Sequence, residues 1–515
     1  MNKNLFIAVS LSIVVYVAWF MWAEKGQKDK PAPGSNAPVA ASIQQAPSKA
    51  TAPTTAAAVP SSPVLSQGKT THYKADKTDI AIAPAGAAIE SAHFYGPVSS
   101  AEMVMVKNPG FFSTMPGLIF TEKSRTSSEV TFEAAAPGGI ILTKTYRFSQ
   151  EGSLGRLELR ARNTGKVPAE LPAWSLTLGP GIGTVKTENE ENPSNWKAAY
   201  TIQQEKRKHP TLEDLSKDKP AKEWIWAGVQ NRYFLAAFIP ENWEGRDLSY
   251  IKGEIGGKEA PGLAVNVPAS AISAGQEKVW TASFYIGPKD YRLLQKLGYG
   301  LDRSVEFGFF SPLGKLAMDV LYFNYKLTHN YGWSIILLTV IIQLLLSPLT
   351  YKSTKATLIM KKLQPELTSI QTKYKDDPAK LNREMIELYR RSGANPLSGC
   401  LPLLLQMPVF FALFTALRNS WDLHGSSWVF WLTDLSSKDP YYVLPIIMGG
   451  IMFVQQRFSA PTGGDPAQAA VLKWMPVLFT FMFLSFPSGL VLYWLTSSLI
   501  GFAQQMYMQK KFENI

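Results

Sequence analysis

Thr339, Gln343 and Ser347 recur at i, i+4 and i+8 within one apolar segment, and Tyr493, Ser497 and Gln504 share one helical face of another. Gln406 stands among Leu403, Leu404, Leu405 and Met407 and is followed by Pro408. All are uncharged hydrogen-bonding groups, and in an apolar layer such a stripe is costly unless it faces other helices or a water-filled cavity. Two readings stand: helix-to-helix hydrogen bonding, or a wet groove, which stripes on two separate helices favour. Pro348, Pro402, Pro408, Pro476 and Pro487 kink or end these segments and suit an open arrangement better than a tight bundle.

Other chemistries find little support. Asp, Glu, Lys, Arg and His are missing from the middle of the C-terminal apolar segments, where an ion-coupled transporter would need them. The single cysteine, Cys400, excludes an internal disulfide or a multi-cysteine metal site, and the five histidines have no ligand spacing. His93, His209, Glu188 and Glu191 are too scattered to be assigned catalysis. With no phosphate-binding glycine loop either, no enzymatic activity, cofactor or metal is expected.

The elements that position the polar residues follow from hydropathy. At 515 residues and a mean hydropathy of −0.04, the chain is too polar to consist only of spanning helices. Residues 1–23 read as a transmembrane anchor: Leu5 to Ala23 covers roughly 28 Å as a helix and ends in Trp19, Phe20, Met21 and Trp22. A cleaved signal peptide is the alternative, against which stands the absence of an Ala-x-Ala site. Residues 24–71, rich in Pro, Ala, Ser and Thr, read as a flexible linker. Short β-branched or alternating runs broken by Gly and Pro then predict an exported antiparallel β-sandwich over 72–289, with strands such as Thr78 to Ala83, Gly139 to Phe148, Leu154 to Arg162 and Trp280 to Ile286. Trp224, Trp226, Tyr233 and Phe234 fall in one such region, where core packing is favoured over a sugar-stacking platform. Residues 290–330 mix Leu and Phe with charges at near-helical spacing, as in an amphipathic region lying on a membrane surface.

The remainder, 331–515, holds five further apolar segments: about Trp333 to Tyr351, Cys400 to Leu417, Tyr441 to Phe458, Val471 to Phe486 and Leu490 to Met508. The expected fold is therefore a helical bundle of six transmembrane helices plus an all-β periplasmic domain. The net charge of +12 is explained by placement. Ten Lys or Arg lie between Lys352 and Arg391, whereas the loop from Asn419 to Pro440 has only Lys438, which makes the first segment and both termini cytoplasmic. That segment, 352–394, predicts a helical hairpin: Leu358, Leu363, Leu367 and Ile370 line one arm, Leu381, Met385, Ile386 and Tyr389 the other, and Asp376, Asp377 and Pro378 break them. Its Lys361, Lys362, Lys373, Arg390 and Arg391 form either a solvated, orientation-setting face or a docking surface for ribosome, nascent chain or anionic membrane lipids. No nucleic-acid sequence is read by such a pattern.

Asn395 to Phe410 (NPLSGCLPLLLQMPVF), Asp439 to Met448 (DPYYVLPIIM) and Phe486 to Tyr493 (FPSGLVLY), followed by Gln504 and Gln505, resemble the core signatures of the bacterial branch of the YidC/Oxa/Alb insertase family. The order of anchor, linker, exported domain, interfacial region and five spans resembles it too. The resemblance implies a β-supersandwich periplasmic domain and a hydrophilic groove within the inner leaflet, through which polar parts of nascent membrane proteins pass. It further implies SecYEG with SecDF, and ribosomes, as partners, in the bacterial inner membrane. By position, Thr339, Gln343, Ser347, Gln406, Tyr493 and Ser497 match the groove, and Cys400, Leu401, Pro402 and Pro476 match substrate-contacting regions. The family's groove arginine falls on Gln343 here, in TVIIQLLLSPLT. A transporter or channel, and a membrane-tethered carbohydrate- or protein-binding protein, are the alternatives; removing about residues 75 to 285 is expected to leave an insertase core active.

Overall fold

The computed structural model describes residues 70–513, apart from 76–77, 96–99, 105–109, 149–153, 184–194, 205–208, 217–222, 256, 376, 394–400 and 459–465. The expected anchor, and the expected linker up to residue 69, lie outside the described residues, as do Glu188, Glu191 and Cys400.

The β-rich part is built on a nine-stranded antiparallel sheet, with spatial order Thr211–Asp214, Lys197–Ile202, Trp226–Gln230, Phe234–Asn242, Glu277–Pro288, Leu154–Asn163, Ile140–Phe148, Glu129–Ala136 and Thr121–Arg125. Two four-stranded sheets and a two-stranded ribbon complete it. The four strands expected from sequence are all present, each within three residues of its expected ends. Leu154–Asn163 shows why: Leu157, Leu159 and Ala161 point inward, while Arg156, Glu158, Arg160 and Arg162 alternate outward. The outer face carries cross-strand ion pairs, with Arg147 reaching Glu129 at 2.7 Å and Arg160 reaching Glu277 at 2.7 Å. Being solvated, such pairs hold register more than they add stability.

Phe234–Asn242 breaks the alternation, because both of its faces are covered. Phe234, Ala236 and Phe238 enter the sandwich core, whereas Leu235, Ala237 and Ile239 join a second apolar cluster that runs through Leu294, Leu301 and Phe307 to Leu413 and Tyr493 in the helical part. Trp224, Trp226, Tyr233 and Phe234 are all buried, in keeping with packing and not with an exposed sugar platform.

Nine helices are described: α1 (Tyr291–Leu297), α2 (Ser311–Thr328), α3 (Tyr331–Lys362), α4 (Gln364–Lys373), α5 (Pro378–Arg391), α6 (Leu401–Arg418), α7 (Val443–Phe458), α8 (Pro466–Phe483) and α9 (Ser488–Glu513). The expected amphipathic region becomes α1, a 3-10 turn at Leu301–Ser304, and α2. On α2, Ala317, Met318 and Leu321 face the core, while Leu316, Phe323 and Leu327 are exposed. Five helices occupy the five expected apolar segments; among the described residues one of them, α3, is both long and apolar enough to cross a membrane. Helix α3 packs along α2 and α9, α7 lies between α9 and α8, and α6 lies along α2. Gly449 permits the α7–α8 approach, since a Cβ there would lie 2.1 Å from Thr480 Oγ1.

The hairpin differs from expectation in its first arm. Helix α3 continues to Lys362, so the arm is divided at Leu363, where Pro365 opens α4 and removes a backbone donor. Asp377 caps α5 by accepting from Lys380 N at 3.0 Å, as its place before Pro378 predicts.

One buried cation ties the three larger sheets. Lys144 has no exposed surface, and its Nζ donates to the carbonyls of Gly86 (2.8 Å), Ala87 (3.0 Å) and Phe112. Burial pushes its pKa well below the usual lysine range, yet the three acceptors match the three protons of the charged form. Tyr146 adds a hydroxyl bond to Ala87 O at 2.7 Å. Lys144→Met, which leaves buried carbonyls without that donor, is expected to cost about 2 kcal/mol or more. An earlier tryptophan-fluorescence unfolding transition in chemical denaturation would show it, and an unchanged transition would remove Lys144 from the account.

Candidate functional site

The polar side chains singled out from sequence meet where α3, α6 and α9 converge. Asn330 starts α3 by accepting from Gly332 N and Trp333 N, and the helix then carries Thr339 and Gln343 inward. Gln343 Nε2 donates to Ser497 Oγ on α9, and Gln406 Nε2 of α6 donates to the hydroxyl of Tyr493, one turn before Ser497. Helix α9 is thus hydrogen-bonded to both flanking helices through successive turns of one face.

Two of the expected groove residues behave differently. Thr339 bonds to its own helix at Ile335 O, 2.7 Å away, and Ser347 to Leu344 O at 2.8 Å, so Ser347 stands outside the set. In this structure the set is also largely enclosed. Thr339 and Tyr493 have no exposed surface and Gln343 retains 8%, while Gln406 and Ser497 are half-buried. The physical reason is that a polar group in apolar surroundings is stabilised most by a partner within reach, and α3, α6 and α9 approach closely enough to supply one. Gln504, further along the same face of α9, has its Oε1 buried without a hydrogen bond.

The residues expected at a client-contacting surface are divided. Leu401 and Pro402 form the first turn of α6. Pro476, in contrast, is buried within α8, where its carbonyl accepts from Thr480 Oγ1 at 2.8 Å. Its ring is packed toward neighbouring helices because Trp474, Leu478 and Phe481 take the outward positions, each about two-thirds exposed. The five basic residues Lys361, Lys362, Lys373, Arg390 and Arg391 are all exposed, and Arg391 pairs with Glu387 one turn away.

Sequence reasoning missed the joint between the β-rich part and the helices. Arg232 Nε donates to Arg418 O, at the last residue of α6, over 2.9 Å, and the Tyr233 hydroxyl reaches the same oxygen at 3.4 Å. Asn419 Nδ2 donates to Glu306 O at 2.9 Å, and Glu306 pairs with Lys197 at 2.5 Å. Burial works to raise the Glu306 pKa, but Lys197 and Lys289 hold it below the usual range. Lys289 is itself buried and lowered to about 8 by that burial, against the pull of Glu306. None of these residues is periodic or part of a motif, so no sequence signal pairs them.

Comparison with known proteins fits this two-part architecture. A family model described as 60Kd inner membrane protein matches residues 323–514, and one described as YidC periplasmic domain matches residues 104–320. The membrane protein insertase YidC of Endomicrobium trichonymphae is 42% identical over 418 residues, covering 80% of this chain and 79% of the relative. The chain belongs to the YidC family of membrane protein insertases. A second YidC, from Geobacter metallireducens, is 32% identical over 539 residues and covers 99% of this chain and 98% of its own. Among solved structures, an active YidC insertase with its first transmembrane domain resolved is similar, with a TM-score of 0.39 and 20% identity over 85% of this chain and 92% of that one. Membership accounts for the pairing of a β-rich periplasmic-type domain with a helical C-terminal region, and agrees with the resemblance carried by the sequence motifs.

The two inter-helix bonds are independently removable. A double-mutant cycle of Gln343→Leu with Ser497→Ala is expected to give a coupling of about 0.6–2 kcal/mol, the range for hydrogen bonds between helices in an apolar medium. Thermal unfolding of the four proteins in detergent measures it, and strict additivity would show that the bond does not form.

Proposed function

We propose that this YidC-family chain inserts membrane proteins by offering the hydrogen-bonding set of α3, α6 and α9 as a replaceable lining for polar client segments. The observation that carries the reading is the pair of uncharged bonds, Gln343 to Ser497 and Gln406 to Tyr493, at one meeting of three helices. Moving a charged segment through hydrocarbon costs from about 2.5 to well over 10 kcal/mol per charge. A hydrated groove reaching partway into the inner leaflet shortens that path, and burial of the client's apolar helix in lipid supplies the driving force. On this reading Thr339, Gln343, Gln406, Tyr493 and Ser497 exchange internal bonds for water or client groups, and the unpaired Gln504 Oε1 extends the line of acceptors. The exposed Trp474, Leu478 and Phe481 of α8 present the apolar surface along which a client helix slides.

The topology that suits this function has six spans: the N-terminal anchor at 1–23 and helices α3, α6, α7, α8 and α9. Both termini and the 352–394 hairpin are then cytoplasmic, residues 72–289 periplasmic, and 290–330 at the outer membrane surface, as the Lys and Arg distribution favours. Nascent membrane proteins are the clients. The exposed basic hairpin is the docking surface for ribosomes or anionic lipid, and SecYEG and SecDF are partners proposed by family membership.

Gln343 is the decisive residue, a neutral group where the family resemblance implies an arginine. In proteoliposomes, Gln343→Leu is expected to reduce insertion of a client with a charged translocated tail at least fivefold, and Gln343→Arg to preserve it. Equal insertion by the Leu variant would remove Gln343 from the path.

A further inference from the structure

The loop that follows α6 contains a half-buried carboxylate held by hydroxyls. Tyr322 of α2 donates its hydroxyl to Asp422 Oδ2, Ser420 Oγ reaches the same oxygen at 3.3 Å, and Tyr331, the first residue of α3, donates to Oδ1 at 3.3 Å. Ser426 Oγ fixes the loop itself through Asp422 O at 2.6 Å. Around this group, α1 contributes Arg292, whose guanidinium lies 3.6 Å from the Tyr322 ring centre, and its capping residue Asp290. Tyr325 stacks on Tyr331 at 4.1 Å, and His424 stacks on Trp421 at 5.0 Å. Lys289, at the end of the Glu277–Pro288 strand, lines the same small cavity as Asp422, with Glu306 and Lys197 behind it. Asp422 is therefore a single acid on which the body of α2, the start of α3 and the residues just after α6 converge.

We infer that Asp422 is a positioning residue for insertion, tying the outer ends of α3 and α6 so that Gln343 and Gln406 keep their places on either side of α9. The spacing supports the lever. Gln343 lies twelve residues beyond Tyr331 and Gln406 twelve before Arg418, so both amides are about 18 Å along their helices from the tie. A shift at the tie that opens or closes the angle between α3 and α6 is carried to both hydrogen bonds at once. The ionised carboxylate accepts from Tyr322, Ser420 and Tyr331 together, whereas the protonated one has fewer acceptor sites and releases part of this set. Burial, and then the nearby Asp290 charge, raise the Asp422 pKa to about 6, against the hydroxyl bonds that lower it. Asp422 thus changes protonation within the range that an outward-facing loop meets.

The sign differs for stability and for activity. A carboxyl whose folded-state pKa is raised binds its proton more tightly when folded, so stability increases as pH falls through about 6. Insertion, which rests on the ionised tie and on the function proposed above, decreases over the same interval. The test uses the full chain in phosphatidylethanolamine and phosphatidylglycerol liposomes, with a single-span client bearing a short acidic tail, between pH 5.5 and 7.5. Wild-type insertion is expected to fall about fourfold from pH 7.5 to 5.5, the ratio of ionised fractions for a group titrating at about 6. The thermal midpoint should rise over the same interval. Asp422→Asn should flatten both profiles, and Tyr322→Phe, which removes a bond that lowers the pKa, should move both inflections to higher pH. An Asp422→Asn profile that keeps the wild-type inflections, or inflections unmoved in Tyr322→Phe, overturns the tie. Should the wild-type chain insert no client at any pH, the insertion reading fails, and the thermal profiles of the variants still decide the role of Asp422.

Discussion

A polar group held in an apolar layer must find a partner, and in this chain that requirement joins elements far apart in sequence. Leaving an amide or hydroxyl unpaired there costs on the order of 1–3 kcal/mol, comparable to much of the gain from burying a leucine. Gln343 and Ser497, Gln406 and Tyr493, Asp422 with Tyr322 and Tyr331, and Lys144 with three carbonyls all answer the same constraint. Each bond joins segments that nothing local brings together, and each restricts how the helices or sheets carrying it can move.

The same constraint explains why the β-rich part and the helices form a continuous body. The apolar cluster that contains Leu235 and Tyr285 also contains Phe307, Leu413 and Tyr493, and the end of α6 is held through Arg418 O by Arg232 and Tyr233. Cutting out about residues 75 to 285 would remove Arg232 and Tyr233, which bond to the end of α6. A graded removal that spares the Asn231–Phe234 turn respects the architecture better. The β-rich part is a support for α6 as well as a separate sandwich.

Much of the fold was legible because its elements follow simple periodicities. Leu154–Asn163 alternates with period two, so its strand and its buried face were both readable; the apolar segments were readable from length and composition, and the Asp377-Pro378 pair announced the start of α5. Legibility failed where two surfaces cover one element. Phe234–Asn242 is buried on both faces and loses its alternation, and α3 runs past its apolar stretch to Lys362 because tertiary contact at Ser353 and Met360 continues beyond the hydrophobic residues.

The sequence by itself determined the class of protein, the order of its parts and the identity of the polar residues on each helical face, since these depend on residue type and spacing along one chain. Only the tertiary structure decided which of those polar groups pair, that Thr339 and Tyr493 are enclosed, that Pro476 turns inward, and that Asp422 gathers Tyr322 and Tyr331. Pairing depends on the distance between helices and on their rotation, and those are set by packing summed over the whole core, which no local stretch of sequence contains.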